Sequence, residues 1–210
     1  GRIGQFRSCL TPCLPLTLAR KIMKFTIPAL LLSLILSSVS SAITEKHTFT
    51  APVSSVRLSS ELIENGKSRD DTASAQVKAV IFEEPLIIPD FRKAGEHKNP
   101  EVNSIINYHK AMLSETAPEV LNLWHPDSRK EKEKQITDVA LEQMKDYLRE
   151  DPQICILGVI YQDHTSSVLL KMGSFVVGFN LRKQDEDLLL TDHPSNDLEL
   201  AIIEASFSKN

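Results

Sequence analysis

The residues of this 210-residue chain that are able to do chemistry are few and scattered. His109 stands out because it shares a helical stripe with apolar neighbours: Val102, Ile105, Ile106, His109, Met112 and Leu113 fall at i, i+3, i+4, i+7, i+10 and i+11. An imidazole has a reference pKa near ~6.5, so a histidine in such a place suits a general base, given an acid partner. Tyr108 is its neighbour in sequence but lies about 100° away around a helix. The plainer reading is a buried histidine hydrogen-bonded to backbone. Asp192-His193-Pro194-Ser195-Asn196-Asp197 is the densest polar cluster. Asp192, His193 and Asp197 offer metal or acid–base chemistry, whereas the same composition also makes an ordinary turn. Asp163-His164 repeats that choice on a smaller scale. His125 and Asp127 flank Pro126, where a histidine complements the negative end of a helix.

Other classes of chemistry lack their motifs. The glycines from Gly66 onward form no phosphate loop or dinucleotide fingerprint, and H-E-x-x-H and G-x-S-x-G are missing. No metal or cofactor is implied. Cys155 is the one cysteine after residue 42, set within Ile154-Cys155-Ile156-Leu157, and reads as a small packed hydrophobe. Residues 1–42 carry Arg2, Arg7, Arg20, Lys21 and Lys24 and no acid, so the remainder is more acidic than the chain's net charge of −4. An acidic body repels phosphate backbones and anionic lipid, which argues against nucleic acid as a partner.

The elements that must position these groups follow from pattern. Met23 and Lys24 lead into the apolar run Ile27–Leu36 and then Ser37-Ser38-Val39-Ser40-Ser41-Ala42. This has the form of a cleaved signal peptide over 23–42, with Ser40 and Ala42 at the small positions before the cut. The run falls short of the ~20 residues that a membrane span needs, so no stable membrane insertion is expected after cleavage. Residues 1–22 read as upstream sequence ahead of the start methionine, which deprives the Cys9–Cys13 spacing of meaning. Residues 43–97 form a strand-containing extension, with strands at His47–Leu58 and Val77–Ile88. Between them Ser59–Ser74 reads as a loop or linker, and Pro85, Pro89 and Lys93–Lys98 mark a second break.

Residues 98–210 read as an α-then-β block. Asn99-Pro100 opens the first helix as N-cap and first helical residue. Thr116-Ala117-Pro118-Glu119 is a capping box opening a short helix that His125-Pro126 ends. Arg129–Lys134 is a solvated helix face, and Ala140, Leu141, Met144, Tyr147 and Leu148 mark a third helix that stops before Pro152. Ile154–Gln162, Ser166–Met172, Phe175–Arg182 and Leu188–Thr191 read as strands, the first a central one. Asp197–Phe207 reads as a short helix capped by Ser195 or Asn196.

Three segments carry a family resemblance: Glu119-Val120-Leu121-Asn122-Leu123-Trp124-His125-Pro126, Ile156-Leu157-Gly158-Val159-Ile160-Tyr161, and Phe179-Asn180-Leu181-Arg182-Lys183 running into Leu188-Leu189-Leu190-Thr191-Asp192. With the element order, they resemble the nuclear-transport-factor-2-like superfamily, which includes polyketide cyclases and ketosteroid isomerases. The resemblance covers Asn99–Asp197 and has no counterpart for residues 43–97. It implies an α+β fold with three helices packed on a curved, cone-like antiparallel sheet. It also implies a cavity lined by His109, Ile105, Met112, Trp124 and Tyr161.

The resulting expectation is a periplasmic or secreted, non-catalytic protein that binds a small apolar ligand or a protein partner, a second copy included. One rival is a pocket enzyme of isomerase, dehydratase or cyclase type with His109 as base. The other is a structural accessory of an envelope complex.

Overall fold

Alternating Phe49, Ala51, Ala73, Ala75, Val77 and Ala79 along two early segments dictates a hairpin with one buried face. The computed structural model describes residues 44–150 and 154–208. The signal-peptide reading of Met23–Ala42, the upstream reading of 1–22, Cys9, Cys13 and Pro152 lie outside the described residues.

The fold is α+β, with one six-stranded antiparallel sheet in the order β1 to β6. Its strands are β1 (Glu45–Pro52), β2 (Thr72–Ile88), β3 (Ile154–Tyr161), β4 (Thr165–Met172), β5 (Phe175–Gln184) and β6 (Asp187–Thr191). Residues 43–97 therefore add β1 and β2 to the sheet that the later strands form. Helix α1 (Ser59–Glu64) lies between β1 and β2. Four helices separate β2 from β3: α2 (Pro100–Ser114), α3 (Ala117–Leu121), α4 (Pro126–Lys132) and α5 (Asp138–Glu150). Helix α6 (Asp197–Phe207) ends the described chain.

The strand expected over His47–Leu58 ends at Pro52, where a 3-10 turn over Val53–Ser55 follows, and four helices, not three, precede the later strands. Two further sequence expectations change. Ser59–Ser74 is not wholly a linker, because α1 forms and buries Leu62. Its six residues are too few and too polar for helical periodicity to show. The second change is at His125, which starts α4 instead of ending the previous helix. Its Nδ1 accepts from the Asp127 N–H at 3.3 Å, an N-cap arrangement at the positive end of a helix. Proline at the first helical position serves as a start signal as readily as a stop.

Both faces of the sheet are covered. On one, α2, α3 and α5 pack with Phe91 and the inward residues of β3–β6. On the other, α6 lies on β1, β2 and β5. The long β2 serves both cores. Its Ala73, Ala75, Val77 and Ala79 face α6, and after a register shift between Ile81 and Leu86 its Leu86 and Ile88 join the α2 side. The shift coincides with a second one in β3 between Ile156 and Gly158. There β2 crosses so closely that a Cβ on Gly158 would lie 2.4 Å from the Val80 carbonyl oxygen. Glycine is required here by the approach of a neighbouring backbone.

The sheet edge at β6 is closed by a short bridge. The Leu190 N–H donates to the Leu123 carbonyl at 2.9 Å, and the His125 N–H donates to the Leu190 carbonyl at 2.7 Å. This holds Trp124 against β6.

Candidate functional site

The expected capping residues set α2 in place. Asn99 accepts from the Val102 N–H at 2.9 Å, and its side-chain amide donates to the Tyr161 hydroxyl at 3.1 Å. The start of α2 is thereby tied to β3. Burial, with the nearby charge of Glu101, pushes the Tyr161 phenol up, and the Asn99 bond opposes it. On α2 the stripe turns Ile105, His109 and Met112 into the core, with 0%, 2% and 6% exposure. Tyr108, about 100° around the helix from His109, is also buried, at 7%. The helix layer wraps α2 on more than one side, so the buried arc is wider than a single stripe.

His109 sits among rings. Phe91 stacks on it with centroids 4.4 Å apart and planes at 15°, and Phe179 lies 5.8 Å away. Its Nδ1–H donates to the Ile105 carbonyl at 2.8 Å, one helical turn back. Loss of solvation pushes its pKa down to about 4, against the opposing effect of that carbonyl. The imidazole is therefore neutral at neutral pH and enclosed in packed aromatic surface.

Trp124 joins the same cluster at 7% exposure. Lys132 places its ammonium 4.6 Å from the indole centroid and 2.8 Å from an Asp192 carboxylate oxygen. Tyr108 meets the indole edge-on at 5.9 Å, and burial raises its phenol to about 12. The indole N–H lies near enough to the phenol to moderate that rise, but it makes no formed hydrogen bond. Of the five residues expected to line a pocket, His109, Ile105, Met112 and Trp124 thus meet in one packed core, with half-buried Tyr161 at its margin.

The polar loop divides its acids. Asp192 pairs with Lys132, whereas Asp197 pairs with Arg57. Ser195 and Asn196 bond to Thr165 and Gln162 and fix the start of α6. Among the described residues no group of three or more His, Cys, Asp or Glu side chains is arranged to hold a metal ion. Cys155 is half-buried rather than fully packed.

Open cavities among the described residues lie elsewhere, two of them beside α2. The larger, about 510 Å³, runs between the end of β2, the segment 89–97 and α2. Leu86, Ile87, Ile88, Pro89, Ala94 and Ile106 give it a mostly apolar wall, and Asp90, Lys93, Gly95, Glu96 and His97 complete it. The segment is firmly held. Asp90 accepts from the Arg92 N–H and guanidinium at 3.0 Å, and Arg92 holds its carboxyl below the usual range. The smaller cavity, about 400 Å³, lies between α2, Asn122-Leu123 and Glu186–Leu190, with a more polar lining. Neither is lined by His109, Ile105, Met112, Trp124 or Tyr161. The Pro85, Pro89 and Lys93–Lys98 break falls on the wall of the larger one, but nothing in the sequence marks that stretch as a cavity, which forms only when Ile106 of α2 packs beside it.

Among the described residues no helix is long and apolar enough to cross a membrane. Comparison of the chain with protein-family models, curated proteins and solved structures gives no match.

Proposed function

We propose that the protein is exported through its Met23–Ala42 segment to the periplasm or the medium and acts there as a non-catalytic binding protein for a small apolar ligand. The observation that carries the binding reading is the 510 Å³ cavity beside the end of β2. Its size falls within the ~300–1,000 Å³ common for small-molecule sites, and apolar walls with a few polar groups are their usual lining. Export rests on the order of Lys24, the Ile27–Leu36 run and the small residues through Ala42. The cone-like, nuclear-transport-factor-2-like reading of the later part draws support from α2 lying against β3, β4 and β6. The register shifts in β2 and β3 also bend a sheet of this kind.

Catalysis by His109 is the weaker reading. A base must reach its substrate, and this imidazole is 2% exposed and stacked on Phe91.

Native mass spectrometry of the protein isolated from its own host tests the proposal. The expected result is a reproducible added mass of small-molecule size that is absent from Gly95→Trp. A Cβ at Gly95 meets no atom within 4 Å, so this variant can fill the cavity from its wall without disturbing the backbone. A clean protein mass, with no binding of an added apolar probe, would overturn the proposal.

A further inference from the structure

The larger cavity contains a hydrogen-bonding asymmetry that narrows its ligand. His97 is almost fully committed to the start of α2: the Asn103 side chain accepts from its backbone N–H and donates to its carbonyl. Its ring Nδ1 accepts from the Asn99 N–H at 3.1 Å. A nitrogen that accepts is unprotonated, so the ring proton of the neutral imidazole resides on Nε2. Phe82 meets the ring edge-on at 5.9 Å and helps to fix its orientation. The one hydrogen-bonding group of His97 without an internal use is therefore a donor.

The other polar groups of the lining do not offer an equivalent anchor. Asp90 is engaged by Arg92 and lies 3.6 Å from Lys93, whose side chain is 86% exposed to water. Glu96 adds an exposed carboxylate to the lining and disfavours an anion. Carrying a carboxylate into apolar walls also costs its hydration.

Resting on the binding function proposed above, we infer that the ligand is a neutral apolar molecule bearing a hydrogen-bond acceptor such as a ketone, ester or amide carbonyl, with His97 Nε2–H as its anchor. Leu86, Ile88 and Ile106 take the hydrocarbon part.

A ladder of probes of equal chain length tests this on the full protein: n-nonane, 2-nonanone, nonanoate and nonylammonium, each displacing bound N-phenyl-1-naphthylamine. The expected order places 2-nonanone first, about three- to tenfold tighter than n-nonane, the range for one net hydrogen bond. His97→Phe should erase that advantage and retain n-nonane binding, with thermal melting used to check its fold. The wild-type ladder is decisive even if the variant does not fold. Equal binding of ketone and alkane, or tightest binding of either ion, would overturn the ligand class while leaving the cavity as a binding site. Failure of the naphthylamine and every ladder compound to bind would instead remove the binding reading itself.

Discussion

On the side covered by α2, α3 and α5, the sheet meets Phe91, Tyr108, His109, Trp124 and Phe179, whereas the side covered by α6 is mostly aliphatic, Ala201, Ala205 and Ile203 across Ala51, Ala73, Ala75 and Ala79, with the ring pair Phe49 and Phe207. Small residues on both partners let α6 settle close to β1 and β2. Rings cannot tile a surface so evenly, and they bring polar atoms with them: an imidazole, a phenol and an indole N–H are buried in one layer. The α6 layer keeps its ionic contacts at the rim, where Glu204 accepts from Arg57 at 3.1 Å and from the Gly178 N–H at 2.8 Å. The larger cavity borders the ring-bearing side, through Ile88 and Ile106. Both the groups capable of chemistry and the space for a ligand therefore gather on that side, and of the N-terminal hairpin β1 and the first part of β2 build the other core while the end of β2 walls the cavity.

This division predicts different responses to pH. His109 has a folded pKa of about 4 against a reference near 6.5. The unfolded chain therefore takes up its proton first on acidification. The associated stability is complete above the unfolded pKa and is lost as pH falls through the folded one, amounting to roughly 3 kcal/mol. Urea midpoints measured from pH 7.5 to 4 should show this loss in the wild type. It should be largely absent in His109→Gln, which retains a donor for the Ile105 carbonyl. Equal slopes in both proteins would break the assignment of the acid-sensitive group to the ring layer.

The seam shared by the two layers should be nearly as sensitive. Gly158→Ala forces a Cβ against the Val80 carbonyl, and overpacking of this kind costs about 1–3 kcal/mol. Hydrogen exchange should speed up on both faces, since β2 and β3 serve both cores.

Glu204→Ala acts on the α6 layer alone. Leaving the Gly178 N–H unpaired costs about 1–2 kcal/mol, and faster exchange should be confined to α6 and β5. Asn99→Ala removes the cap of α2 at a cost of about 1 kcal/mol, read as a lower melting temperature. It should also free the Tyr161 hydroxyl from its partner.

What could be read from sequence was local. Asn99-Pro100, the Thr116–Glu119 box and the Asn196 cap each place a helix start within a few residues, and each stands where expected. The alternation in β5 and the apolar run of β3 identified strands for the same reason. His125 misled because proline punctuates both ends of helices. Helix α1 was hidden because its stability comes from one buried leucine and not from its own periodicity. His109 was legible as an inward residue, but the stack with Phe91 depends on a turn eighteen positions earlier. The cavity was illegible altogether: the end of β2, segment 89–97 and Ile106 meet only after the helices have packed.

Adjacent isoleucines on α2 provide the most direct test of where a ligand binds. Ile106 lines the larger cavity, whereas Ile105, fully buried, belongs to the residues expected from sequence to surround a pocket. Methyl NMR of the isoleucines during titration with 2-nonanone separates the two. Saturable shifts at Ile106, Ile87 and Ile88, with Ile105 and the α6 residue Ile203 little changed, are the predicted result. Shifts centred on Ile105, or no saturable shift at any isoleucine, would contradict it.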